Sequence, residues 1–271
     1  MDNRPIGFFD SGLGGLTSIP NLFEKLPNER IIYFGDTART PYGSKAVSTI
    51  KQYATQISDF LITKDVKMLV IACNTISATC LVELQTRFPQ IPILGIINPA
   101  AEKVATNCNE KNNIGIIATK VTTASGAYKD KIKELNSDLN VCEIATPAFV
   151  PLIEEGIIEN EIMDLTIHYY MDQFIEDNQI DTLVLGCTHY PIIRKNIEAI
   201  YPRLKIINPS YEIIDTVTRV LQERNAFAGT NNTGENVFYA SDLSENFSNM
   251  IQKVLETEKS NLILKFKNLE L

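Results

Sequence analysis

Two cysteines occupy matching places in this chain. MLVIACNTIS, residues 68–77, sets Cys73 directly after an apolar run, and TLVLGCTHYP, residues 182–191, does the same for Cys187. A thiol at the carboxyl end of a buried strand, with a helix starting beyond it, meets the positive end of that helix. There its pKa falls, and the sulfur can take or give a proton. The N–H groups of Asn74-Thr75 and of Thr188-His189 are placed to hold a carboxylate. Two small buried hydrophobes at sheet ends would be the plain alternative.

Other polar residues fall at the same kind of position. The first apolar run ends in FFDSGLGGLT, residues 8–17, where Gly12, Gly14 and Gly15 permit a tight turn and Asp10 and Ser11 reach the strand ends. A dinucleotide fingerprint competes for this stretch, since Asp36 lies at about the distance of a ribose contact, but Thr17 stands where its third glycine belongs. GDTARTPYG, residues 35–43, carries Tyr42 and Gly43 on a turn after the second run. Of the two histidines, His189 is two residues from Cys187 and is a candidate proton donor, whereas His168 reads as structural or exposed. Zinc is disfavoured, because Cys187 and His189 lack a second close pair of ligands. Cys80 reads as core, and Cys108 and Cys142 as bystanders. Glu154 and Glu155 follow the turn at Pro151 and offer a carboxylate.

These residues need elements to carry them. Continuous apolar runs at residues 5–9, 30–35, 68–72, 91–96, 113–118, 182–186, 204–208 and 236–240 suit strands covered on both faces. Helical spacing lies between them, as in Val47, Ile50, Ala54, Ile57 and Leu61, with Ser44 in the capping position. Alternating strands and helices predict an α/β fold with mainly parallel sheets. Landmarks also recur: Ile6-Gly7 with Ile114-Gly115, Cys73 with Cys187, and Ile97-Asn98-Pro99 with Ile207-Asn208-Pro209, at offsets of 108, 114 and 110. The pattern predicts two similar α/β domains related by pseudo-symmetry, residues 1–97 plus 210–271 and residues 98–209, with the active site in the cleft between them.

Bulk properties narrow the partners. A net charge of −8 with interspersed charges leaves no basic face for nucleic acid, and no apolar run reaches the ~20 residues of a membrane helix. With no N-terminal basic segment followed by an apolar stretch either, a cytoplasmic location is expected, and five cysteines without a C-x-x-C pair are expected to be reduced thiols.

The stretches IGFFDSGLGGLT, GDTARTPYGSK, VIACNTISA, FVPLIEEG and LGCTHYP, in that order over residues 6–191, closely resemble the glutamate racemases of the cofactor-independent amino-acid racemase superfamily. The resemblance implies interconversion of L- and D-glutamate, supplying D-glutamate for peptidoglycan. It implies that Cys73 and Cys187 act on opposite faces of the α-carbon, one as thiolate base and the other as thiol acid, with no cofactor or metal. By the same resemblance Asp10 and His189 assist the thiols and contact substrate. Ser11, Tyr42, Gly43, Asn74, Thr75 and Thr188 match substrate-binding positions, and Glu154 matches a carboxylate of the site. A homodimer is implied as the usual state. Aspartate racemases of the superfamily usually carry glutamate where His189 stands, so the GCTHYP form favours glutamate. Rivals outside the family reading are an amino-acid-binding protein that keeps the cleft and a thiol hydrolase, which would leave Cys73 without a task. Ile76 and Thr40 depart from the family pattern and bear on affinity.

Overall fold

The computed structural model describes residues 1–230, 232–243, 251 and 262–269. The strands among them are β1 (Ile6–Asp10), β2 (Ile31–Gly35), β3 (Met68–Ile71), β4 (Ile93–Gly95), β5 (Asn113–Ala118), β6 (Asn140–Ala145), β7 (Thr182–Gly186), β8 (Lys205–Ile207), β9 (Asn236–Ala240) and β10 (Leu262–Phe266). The helices in the first half are α1 (Ile19–Lys25), α2 (Val47–Ile62), α3 (Asn74–Arg87), α4 (Ile97–Asn107), α5 (Lys120–Ser125) and α6 (Ala127–Leu135). They continue with α7 (Phe149–Glu154), α8 (Glu161–Asn178), α9 (Arg194–Ile200) and α10 (Pro209–Glu223).

The strands form two parallel sheets, one in the order β10-β9-β2-β1-β3-β4 and the other β6-β5-β7-β8. The run β2-β1-β3-β4 of the first sheet therefore recurs strand for strand in the second. Gly7 pairs with Leu69 in one and Gly115 with Leu183 in the other, so the repeated Ile-Gly landmark occupies the same register beside the cysteine strand. Strands β1, β2, β3 and β7 are buried along their whole length, as continuous apolar runs require when helices cover both faces. Of the expected first domain, residues 231, 244–250, 252–261 and 270–271 lie outside the described residues.

Helices α4 and α10 fill the space between the sheets. Their Ala100, Val104, Ile213 and Val217 join Phe8 and Val70 of the first sheet and Ile116 and Val184 of the second in one buried cluster. This shared core fixes the two sheets with the ends of β1, β3, β5 and β7 around a common cleft. Two further clusters lie outside it, one under α2 and α3 and the other under α7, α8 and α9.

Three local expectations are corrected. Ile50, Ala54, Ile57 and Leu61 are buried on α2, but Val47 is 44% exposed at its first position. Ser44 does not cap α2: it ends a 3-10 turn, Tyr42–Ser44, and the extended Lys45 and Ala46 carry the chain past its reach. Strand β10 was not expected, because its sequence LILKF follows a charged stretch and shows no continuous apolar run. Among the described residues no helix is long and apolar enough to cross a membrane.

Candidate active site

Cys73 sits where β3 gives way to α3. The N–H of Ala72 bonds the carbonyl of Phe9 at 2.9 Å, holding the strand end against β1. Cys73 is then the N-cap residue of α3, with its carbonyl accepting from Ser77 N–H at 2.9 Å. Its thiol donates to Ser11 Oγ at 3.4 Å. Burial, followed by the negative charge of Asp10, pushes this thiol up to about 12 despite its hydrogen bonds with Ser11 and the Ile76 N–H. At neutral pH Cys73 is therefore a thiol, and the helix end only partly offsets the loss of water.

The carboxylate responsible, Asp10, ends β1 and is wholly buried. Oδ2 accepts from Gly12 N–H at 3.0 Å and Oδ1 from Thr188 Oγ1 at 3.2 Å. Burial raises its pKa, while the His189 charge, the Gly15 and Gly12 N–H groups and the Thr188 hydroxyl oppose that rise. Asp10 thus reaches across to the loop that carries the second cysteine.

Cys187 directly follows β7 and is 6% exposed. Its Sγ lies 3.9 Å from His189 Nδ1, and His189 Nε2 lies 3.1 Å from Glu154 Oε1 at the end of α7. Burial alone would lower the imidazole pKa. Hydrogen bonds and charge from Cys187 and Glu154 outweigh it and lift the value to about 10, so at neutral pH both ring nitrogens carry protons. The segment beyond Cys187 departs from the expected helix start: a single 3-10 turn, Tyr190–Ile193, precedes α9, with Pro191 in its first positions. The two cysteines thus share a strand position but not a helix end.

The glycine loop serves close packing. A Cβ on Gly14 would lie 2.3 Å from Thr188 Oγ1 and 2.7 Å from His189 Nδ1, so only a bare backbone lets this loop abut the Cys187 segment. Gly43 plays the same part against Thr119, whose Cβ a side chain would meet at 2.5 Å. Asp36, the acid of the dinucleotide reading, is buried and occupied. It accepts from Arg39 Nε at 2.7 Å, from Ser241 Oγ at 2.7 Å and from the Tyr42 hydroxyl. The phenol of Tyr42 is accordingly spent on Asp36, and its ring and the Gly43 backbone remain to face the cleft.

One cavity gathers most of the expected residues. Ser11, Tyr42, Gly43, Cys73, Asn74, Thr75, Cys187, Thr188 and His189 line it, with Thr40, Pro41, Thr119 and Val150. Asp10 and Glu154 stand one side chain back, behind Thr188 and His189 respectively. The space in which the centre of a water molecule can move is about 20 Å³, so the cleft is narrow. Asn74 is 2% exposed; its Oδ1 accepts from Tyr128 while Nδ2 is buried without a partner among the described residues. Such a donor is costly to bury and suits an anionic guest.

Sequence reading passed over Thr119. It follows β5 as Ser11 follows β1, at the 108-residue offset of the Ile-Gly landmark. Its hydroxyl lies 3.0 Å from those of both Thr75 and Thr122, joining α3 to the start of α5. The repeat was the signal that could have found it. Of the two departures, Ile76 is buried in the core under α2 and α3, and Thr40 Oγ1 donates to Glu154 Oε1 at 3.3 Å. Elsewhere, Cys80 is buried, Cys108 and Cys142 are half-buried, Glu155 is exposed, and exposed His168 pairs with Asp172 at 3.0 Å. Among the described residues no group of three or more His, Cys, Asp or Glu side chains is arranged to hold a metal ion.

Known proteins share the sequence pattern and the fold. Residues 18–223 match the Asp/Glu/Hydantoin racemase family. The chain is 42% identical over 252 residues to a glutamate racemase from Neisseria meningitidis, covering 93% of each. Its fold is similar to the crystal structure of a Francisella tularensis glutamate racemase in complex with D-glutamate, with a TM-score of 0.91, 40% identity and coverage of 100% of this chain and 99% of that one. A glutamate racemase isoform from Bacillus anthracis is similar at a TM-score of 0.90 and 29% identity, over 98% of each chain. With two equivalent strand-end cysteines in one cleft and these likenesses over nearly its whole length, the chain belongs to the Asp/Glu/Hydantoin racemase family, among its glutamate racemases.

Proposed function

We propose that Cys73 and Cys187 are the two acid/base groups of a racemisation of glutamate, placed on opposite faces of the substrate α-carbon. The chain interconverts L- and D-glutamate and so supplies the D-glutamate of peptidoglycan synthesis. The observation that carries the assignment of the two thiols is their position at the ends of equivalent strands, β3 and β7, lining one cavity. Inversion needs two groups, because removing and returning a proton on one face restores the starting hand.

The chemical difficulty is a weakly acidic α-proton whose loss adds charge beside an existing carboxylate. Positioned general acid/base groups supply about 10²–10⁴-fold. The remainder rests on donors fixed in the site, and the first N–H groups of α3 support that reading. Asp10 and Ser11 attend Cys73, and His189, held by Glu154, attends Cys187. The two thiols exchange the roles of base and acid with the direction of the reaction. Ser11, Tyr42, Gly43, Asn74, Thr75, Thr188 and His189 surround the substrate. The same proposal keeps the division into residues 1–97 plus 210–271 and residues 98–209, and a homodimer, which sedimentation of the purified protein tests.

The activity is tested by proton NMR with L-glutamate in deuterated water and no added cofactor, while circular dichroism follows the optical signal. The expected result is loss of the α-proton resonance together with decay of the signal to zero. Exchange with aspartate alone would overturn the substrate, and no exchange with either, on protein with reduced thiols, would overturn the reaction.

A further inference from the structure

Asn74 is the first residue of α3 and lines the cleft, but its amide is oriented by a residue from a distant part of the chain. Tyr128, on α6, is wholly buried, and its hydroxyl donates to Asn74 Oδ1 at 2.5 Å. A side-chain amide has two nearly equivalent orientations, and only its hydrogen-bond partners decide which one holds. A phenol that donates selects the orientation with the carbonyl towards Tyr128, leaving Nδ2 as the donor without a partner among the described residues. Burial, reinforced by the charges of Cys187 and Glu143, holds the phenol protonated well beyond neutral pH, so it remains a donor wherever the enzyme would work.

From this geometry we infer that Tyr128 is a positioning residue for the reaction, locking the Asn74 amide so that Nδ2 is presented to a substrate carboxylate. The inference rests on the proposed reading of Asn74 as a substrate-binding residue. It also makes α6, which is attached to the second sheet, part of the binding apparatus at the end of a strand of the first. No residue of the motifs in the sequence points to it, since Tyr128 lies in the polar segment AYKDKIKEL.

The test is Tyr128→Phe, which keeps the buried ring and removes the hydroxyl, measured beside Asn74→Ala and the double variant. For Tyr128→Phe the expected result is a KM for glutamate raised about 5- to 10-fold, the factor a neutral hydrogen bond is worth, with kcat changed less than about 2-fold. In the Asn74→Ala background the same substitution should add nothing, because there is no amide left to orient. Parental kinetics in Tyr128→Phe would overturn the inference. So would a lowered Tm with parental KM, which is the mark of a packing role alone. Equal losses in the presence and absence of the Asn74 amide would show that Tyr128 acts through something else. If Asn74→Ala has parental KM while the cysteine variants are inactive, the relay fails and the two-thiol reading stands.

Discussion

Replacing Gly14 by alanine would drive a methyl group into the ledge that carries Cys187. The new Cβ would lie 2.3 Å from Thr188 Oγ1, 2.8 Å from Thr188 Cβ and 2.7 Å from His189 Nδ1. Neither side chain can swing aside freely: Thr188 is held by Asp10 at 3.2 Å and His189 by Glu154 at 3.1 Å, and both residues are buried. Ordinary contact distances therefore require the ledge to retreat by roughly 1 Å, a displacement that can cost about 10²-fold in rate when it misplaces a reacting group. We expect kcat/KM for L-glutamate, read from initial rates by circular dichroism, to fall about 100-fold. Overpacking should also lower stability by about 1–3 kcal/mol in a thermal melt. Gly14 does not have a left-handed backbone, so alanine there probes space alone. Gly156 is the complementary control, with φ of +74° and nothing within 4 Å of the place a methyl group would take. Gly156→Ala should lose about 1 kcal/mol of stability through backbone strain and keep its kinetics. A Gly14→Ala enzyme with kcat/KM within 2-fold of the parent would show that the close approach of this loop does not set the position of Cys187.

Cys73→Ser and Cys187→Ser should each stop racemisation, with losses of about 10²–10⁴-fold or more; full activity in either rejects the two-thiol assignment. His189 has its pKa lifted to about 10 from 6.5, so its protonation contributes stability that is whole below about pH 6.5 and lost as pH rises through about 10. The Tm deficit of His189→Gln should accordingly be larger near pH 6 than near pH 10.5, and a deficit independent of pH would mean that the buried ring is neutral. Glu143, on β6, has a buried Oε1 without a hydrogen-bond partner among the described residues and a pKa raised by burial to about 7. Its folded form loses relative stability as pH rises from about 4.5 through 7. Glu143→Gln should therefore raise the free energy of unfolding at pH 8 more than at pH 5, by an amount on the order of 1 kcal/mol once solvent screening is allowed for; equal effects at the two pH values would refute it.

The cysteines were legible because the two runs before them are uniformly apolar, and such runs in parallel sheets end at the ligand side. The repeat was legible because its Ile-Gly landmark keeps one register, with Gly7 and Gly115 each paired to a leucine of the cysteine strand. The features that were not legible depend on pairings that no local pattern carries. The phenol of Tyr42 turns inward because Asp36 stands at the end of β2, and the two are joined only by the fold of the intervening turns. Tyr128 meets Asn74 across 54 residues of sequence. Ser44 has the right type for a cap, but two extended residues intervene. Thr119 belongs to no motif, although the offset of the repeat leads to it from Ser11.

The unequal surroundings of the two thiols have a thermodynamic consequence. Cys73 opens a 14-residue helix beside a carboxylate, whereas Cys187 precedes a short 3-10 turn beside an imidazolium. Mirror-image solutes have identical free energies in water, so no protein can move their equilibrium ratio from unity. The Haldane relation then forces kcat/KM to be the same for both enantiomers, however lopsided the site. The asymmetry can appear only as a compensated difference: the hand that binds more tightly must turn over more slowly, in equal proportion.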